Sequence, residues 1–390
     1  MVMDALKIGD ISVKVPIVQG GMGVAISLSG LASAVANEGG IGVISSAGIG
    51  MREADYDTNF REANLRALRK EIRKAKSLTN GVLGVNVMMA LTDHEDLIKV
   101  AVEENIDIIF MGAGLPLNIP LVLKEAGLEK HHTKLAVKVS SAKAARLIFQ
   151  YWENKYNLIP DAVVVEGPLA GGHLGFKKAE LAKPFTPLHI LVEETVNAIK
   201  PFEEKFEKEV PVIAGGGIYT GDDMYAIMQA GAKGVKMGTR FVTTHECDAA
   251  LAFKEAYINC KKEDIVFIDS PVGLPGRVIR NNFVDQVKLG NTKPFRCVWR
   301  CLIPCNVKKA PYCISQALMN AAQGKMDEGF AFAGAKAYLA TRIQSVKEVF
   351  QEVLAEYAVK EAEAESHKKM IDIPIPLLEV KSPKLMGKSL

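Results

Sequence analysis

Residues 162–176 read Ala-Val-Val-Val-Glu-Gly-Pro-Leu-Ala-Gly-Gly-His-Leu-Gly-Phe, which places an imidazole directly behind a glycine-rich loop. Ala162 to Val165 is a short apolar run of the kind that forms a strand buried on both faces of a parallel sheet. The run ends at Glu166, and the loop holding Gly167, Pro168, Gly171 and Gly172 then presents His173. Carboxyl ends of such strands are where α/β folds place their chemistry. An imidazole there titrates near neutrality unless perturbed, and glycines let a flat ligand lie close to the backbone. A histidine that merely packs in a turn would leave the same local sequence.

Two other strand ends carry glycines. Gly215-Gly216-Gly217 follows the run Val210–Ala214, and Gly238-Thr239 follows Gly234–Met237. Backbone N–H groups, a hydroxyl and nearby helix N-termini form a phosphate grip at this place in barrel enzymes. Tight turns alone are the plainer alternative. A ring lying across the same mouth would meet Gly20 to Gly23, Asn86, Lys138, Glu166 and Gly171-Gly172. Asn86 and Lys138 interrupt otherwise apolar strands, and a buried polar group requires a partner, either a ligand or an ordinary polar network. Glu166 suits sugar-like hydroxyls. A phosphate tail, hydroxyls and a flat redox ring together point to FMN.

The elements that must position these residues follow a regular beat. Short apolar runs at 16–19, 41–45, 82–87, 106–111, 135–139, 162–165, 210–214 and 234–237 alternate with helical patterns. Among the helices, 59–76 is amphipathic through Leu65, Leu68 and Ile72, the next opens with Asp93 as N-cap, and 187–206 is expected to break near Pro201. Eight strand–helix units predict an α/β fold, a (β/α)8 TIM barrel, although periodicity alone does not show closure. The expected division is a barrel over 1–245, a mainly helical and irregular capping segment over 246–370, and an extended tail over 371–390. Within the capping segment, Ser270 to Asn282 reads as an irregular loop and Ser345 to Glu365 as a charged helix.

Of the 390 residues, 48% are hydrophobic and 24% charged, an ordinary balance for a globular enzyme. A net charge of +3 with dispersed cations argues against nucleic acid as a partner. No stretch approaches the ~18 apolar residues of a membrane span, and Met1 to Lys14 lack the apolar core of an export signal. A cytoplasmic location with reduced thiols is the expectation for the six cysteines. Four of them, Cys297, Cys301, Cys305 and Cys313, fall close together; an iron–sulfur cluster, zinc or free thiols all stay open.

The motifs Gln19-Gly20-Gly21-Met22, Gly84-Val85-Asn86, Glu166 through His173, Ala214 through Ile218 and Met237 through Phe241 resemble the nitronate monooxygenase family. That family, formerly called 2-nitropropane dioxygenase, includes the flavin-dependent enoyl-ACP reductases of the second type. The resemblance covers roughly residues 8–290. It implies an FMN-containing barrel in which Gln19, Gly20, Gly21, Met22, Asn86, Lys138, Glu166, Gly171, Gly172, Gly215, Gly216, Gly217, Gly238 and Thr239 contact FMN and His173 is catalytic. It also implies that residues 276–281 pack over the active site and that Lys138 matches a lysine of the nitronate enzymes. The long loops after strands two and six, and the cysteine segment, depart from the family's minimal pattern.

The expected function is thus an FMN-dependent oxidoreductase, an alkyl nitronate oxidised with O2 to a carbonyl compound and nitrite. An NAD(P)H-dependent enoyl-thioester reductase is the second expectation, and a non-catalytic barrel binding a phosphorylated ligand the third. The partners are small molecules, with a homodimer left open.

Overall fold

The computed structural model describes residues 3–181 and 184–371. A hairpin of β1 (Leu6–Ile8) and β2 (Ile11–Val13) precedes the first barrel strand, β3 (Ile17–Gln19). The strands β4 (Gly42–Ser45), β5 (Leu83–Met88), β6 (Ile108–Gly112), β7 (Lys134–Val139) and β8 (Ala162–Glu166) follow, each paired parallel to the next. After the short β9 (Gly172–His173) come β10 (Val212–Gly215) and β11 (Gly234–Met237), and β11 returns to pair with β3. The ring closes where Ile41 donates its N–H to Ile17 and accepts from Gln19, both at 2.9 Å. Eight parallel strands therefore form a closed barrel surrounded by helices.

Side-chain alternation along these strands builds two separate cores. Val18, Val43, Ile108, Phe110, Ala136, Ala162, Val164 and Ile213 point inward and pack together, with Leu6, Ile8 and Val13 of the hairpin closing the bottom. Their sequence neighbours Ile17, Ile44, Ile109, Met111, Val137, Val163 and Val165 belong to the cluster that also includes the helices. The period of two then determines the next inward layer toward the carboxyl ends. It consists of Gly20, Ser45, Asn86, Gly112, Lys138, Glu166, Gly215 and Lys236, all of which line the cavity at the barrel mouth.

Several elements differ from the sequence expectation. Helix Leu188–Phe206 continues through Pro201. Its buried face, from Leu191 to Phe202, holds it across the bond that proline cannot make. Asp93 precedes helix His94–Glu103 without capping it; its carboxylate accepts from Asn64 Nδ2 at 2.7 Å and is buried. The segment expected to be an irregular loop contains β13 (Pro275–Ile279), which pairs antiparallel with β12 (Ile265–Asp269) and with β9. Proline is tolerated here because Pro275 is the first residue of its strand. Helix Val346–Ile371 packs chiefly on helix Gly221–Gln229 and also on helix Ser29–Asn37, so the outer ring takes its eighth helix from beyond residue 345. Apart from Ile371 at that helix end, the expected tail lies outside the described residues. No helix among the described residues is long and apolar enough to cross a membrane.

Candidate active site

A cavity of about 250 Å³ opens at the carboxyl ends of the barrel strands. Gly20, Gly21, Met22, Asn86, Lys138, Glu166, Gly171, Gly172, His173, Gly215, Gly216, Gly217, Gly238 and Thr239 all line it. Gln19 alone among the candidate residues does not. It is fully buried at the seam between β3 and β4, where its Oε1 accepts the Val43 N–H at 2.8 Å and its Nε2 donates to the Gly20 carbonyl. The ladder is thin at that seam, and the amide supplies a bond that backbone does not.

Glycine is required in this lining for distinct reasons. A Cβ on Gly21 would stand 2.4 Å from the Asn86 Cβ, so these two strand ends meet only without a side chain. Gly216 has φ +100°, and a Cβ there would lie 2.9 Å from the Gly167 carbonyl. At Gly171 the neighbour is the backbone of Ala333, 2.5 Å from an added Cβ. That glycine therefore accommodates a later segment of the chain, which crosses the mouth and donates its Gly334 N–H to Thr239 Oγ1 at 2.9 Å.

The floor holds the charges. Lys138 and Glu166 pair at 3.1 Å from adjacent strand ends. Lys236 is buried, its Nζ lies 4.6 Å from the centre of the Phe110 ring, and it has no hydrogen-bond partner. Desolvation, followed by the nearby Lys138 charge, pulls its pKa down from 10.5 to about 7, opposed by Glu166. Lys236, like Lys138, is a cation on an apolar strand, so the sequence carries the same signal for both. Two lysines, one carboxylate and glycine backbone around an open cavity suit an anionic or phosphorylated ligand. The unpartnered ammonium and the side-chain-free cradle fit FMN.

Lys236→Met therefore stabilises the flavin-free protein, on the order of a few kcal/mol at pH 7. Between pH 7 and 10.5 the unfolded chain holds a proton that the folded chain releases, so this group makes stability rise with pH across that window. Denaturant titrations of flavin-free wild type and variant at several pH values check both the gain and the loss of that slope.

His173 lies on β9, held by β13 through the pair Gly276 and His173. Its Nε2 is 2.7 Å from Ser270 Oγ, and its ring meets the Phe332 ring edge-on at 4.9 Å. Burial, with the Lys138 charge second, lowers its pKa from 6.5 to about 4. The ring therefore does not titrate near neutrality as expected from sequence; it is a neutral hydrogen-bonding group. Arg277 on β13 is buried and donates to the Ala170 carbonyl, which ties the 276–281 segment onto the histidine loop. Tyr56, Asn64, Asp93, Cys301 and Ser315 also line the cavity, residues that sequence periodicity did not connect with it.

A parallel barrel with a glycine cradle, two lysines and a neutral histidine at its mouth has the architecture of a small-molecule enzyme site. Comparison with known proteins narrows this class. The nitronate monooxygenase family model matches residues 5–109 and 93–356, and the chain belongs to that family of flavin-dependent oxidoreductases. The match extends past the 8–290 region of motif resemblance and across the cysteine segment. A probable nitronate monooxygenase of Staphylococcus aureus is 27% identical over 305 residues, 71% of this chain and 78% of that protein. The (3aS,4S,5R,7aS)-5-hydroxy-7a-methyl-1-oxo-octahydro-1H-indene-4-carboxyl-CoA dehydrogenase of Mycobacterium tuberculosis is 28% identical over 281 residues, 72% of this chain and 67% of that protein. Among solved structures, FabK from Thermotoga maritima superposes with a TM-score of 0.70 at 28% identity, covering 91% of this chain and 96% of that one.

Proposed function

We propose that the protein is an FMN-dependent oxidoreductase that oxidises alkyl nitronates with O2 to a carbonyl compound and nitrite. The observation that carries this reading is a neutral His173 sharing one cavity with Lys138 and Lys236. A nitronate arrives as an anion, so it needs cations and a hydrogen-bond donor more than it needs a base to remove a proton. Gly215 to Gly217, Gly238 and Thr239 would hold the phosphate of FMN, and Glu166 would hold its hydroxyls. When bound, FMN supplies the electron-accepting ring. Lys138 and Lys236 would stabilise negative charge that develops on the bound cofactor, and His173 would orient the nitro oxygens by hydrogen bonding.

The likeness to FabK and to a CoA-thioester dehydrogenase supports a second reading, NAD(P)H-dependent reduction of an enoyl thioester. There His173 would donate to the thioester carbonyl. Anaerobic bleaching of the flavin separates the two. Rapid bleaching by an alkyl nitronate, with NADH and NADPH inert, supports the first reading; the reverse pattern replaces it with the second. A colourless protein that takes up no FMN removes both.

A further inference from the structure

The cysteine segment takes no part in this reaction, yet it builds a cavity of its own. Residues 289–313 contain neither helix nor strand apart from one isolated bridge between Leu302 and Leu91. A connection of that length without regular structure is uncommon in a compact fold unless it has a function. The segment is pinned rather than loose: Thr92 donates to the Cys301 carbonyl at 3.1 Å and Ile303 to the Ala90 carbonyl at 2.8 Å. The Trp299 ring also packs on Tyr56 at 5.1 Å.

Cys297, Cys301, Cys305 and Cys313 all line one cavity of about 340 Å³, and none of them is in a disulfide. The chain already places polar groups against two of these sulfurs. Cys297 Sγ accepts the Arg300 N–H at 3.4 Å, and Cys301 Sγ lies 3.4 Å from Ser315 Oγ. Arg300 turns the chain between these cysteines with φ 49°. Residues 291–313 carry Lys293, Arg296, Arg300, Lys308 and Lys309 and no acidic residue, so the surroundings favour a group of negative charge.

Among the described residues, no three Cys, His, Asp or Glu side chains are grouped so as to hold a single metal ion. The cavity of about 340 Å³ that the four cysteines line leaves room for more than one ion. Zinc gathers its sulfurs at ~2.3 Å from one centre. An iron–sulfur cluster is ligated at separate irons, so its thiolates stand apart around a body of iron and sulfide.

We propose that Cys297, Cys301, Cys305 and Cys313 ligate a [4Fe–4S] cluster in this cavity. Each thiol releases its proton as its sulfur bonds to iron, and a preassembled cluster enters without change of oxidation state. The ligation cross-links a segment whose share of the neighbouring hydrophobic cluster is Tyr312 and Leu302. Cys301, Leu302, Ile314 and Ser315 line this cavity and the barrel-mouth cavity together, so the cluster stands against the wall of the active site.

The test uses the full chain purified without oxygen, with iron, acid-labile sulfide, zinc and flavin measured on the same sample. Iron and sulfide in equal amounts, with a paramagnetic signal after dithionite reduction, is the expected result. Cys301→Ser and Cys313→Ser should each lose most of the iron and sulfide, whereas Cys260→Ala, outside the segment, should keep both. Zinc without sulfide overturns the proposal. So does a chain that takes up no iron from an anaerobic mixture of equal ferrous and ferric ion with sulfide while all four thiols react with a thiol reagent. Equal iron in Cys301→Ser, Cys313→Ser and Cys260→Ala overturns it as well. If the serine variants do not fold, the iron-to-sulfide ratio of the wild type decides alone. None of these readouts depends on flavin content or turnover, so the cluster and the proposed reaction stand or fall separately.

Discussion

Gly238→Leu yields a folded protein that no longer retains FMN. Gly238 has no positive φ, and a Cβ there would meet only the Met22 side chain, at 3.4 Å, which is ordinary contact. The added side chain therefore enters the cavity lining without straining the backbone. The phosphate would lose its close approach, and FMN binding should weaken on the order of 100-fold, equivalent to about 2.7 kcal/mol. Gly216 makes a poorer test, since its φ of +100° and the nearby Gly167 carbonyl would strain the fold itself. Flavin absorbance and thermal unfolding of Gly238→Leu, measured together, check the prediction. Full flavin occupancy would remove the phosphate assignment, and an unfolded variant would show that this glycine is needed for packing.

His173→Ala should fold, keep its FMN and lose turnover on the order of 100-fold or more, the scale of removing one positioned hydrogen-bonding group from a reacting site. With its pKa lowered to about 4, wild-type kcat/KM should show no inflection near pH 6.5 from this residue. The same shift makes a stability prediction of known sign. Between pH 4 and 6.5 the unfolded chain binds a proton that the folded chain refuses, so stability falls as pH drops through that window. The contribution is on the order of 2–3 kcal/mol, and His173→Ala should flatten it. An unchanged kcat/KM in the variant would take His173 out of the mechanism. A clear inflection at pH 6.5 that vanishes in the variant would show that bound ligands restore an ordinary imidazole.

Much of the barrel and its site could be read locally. A strand of period two buried on both faces leaves an apolar run, and its end leaves glycine, so eight strands and their loops were legible. Lys138 and Asn86 stood out because a polar residue on such a run is costly unless it faces a cavity, and Glu166 because it ends a run as a carboxylate suited to hydroxyls. The same logic reaches Lys236, but only inward and outward alternation across neighbouring strands shows that it lies beneath the same mouth.

Other features depend on residues far apart in the chain. Barrel closure rests on Ile17, Gln19 and Ile41, whose backbone bonds exist only after the ring has formed. The strand Pro275–Ile279 looks like a loop by itself, because its ladder partners are Ile265–Asp269 and the distant Gly172–His173. Gly171 is explained by Ala333 and Thr239 by Gly334, contacts that no local pattern announces. The sharpest case is His173. Residue type and position put a titratable ring at the barrel mouth, and burial under β13 and Phe332 beside Lys138 makes it a neutral one. Local sequence selects the strands, the turns and the kind of group each can carry, because those depend on near neighbours. Protonation state, closure and contacts across the mouth depend on solvent exclusion and distant charges, and those exist only in the assembled barrel.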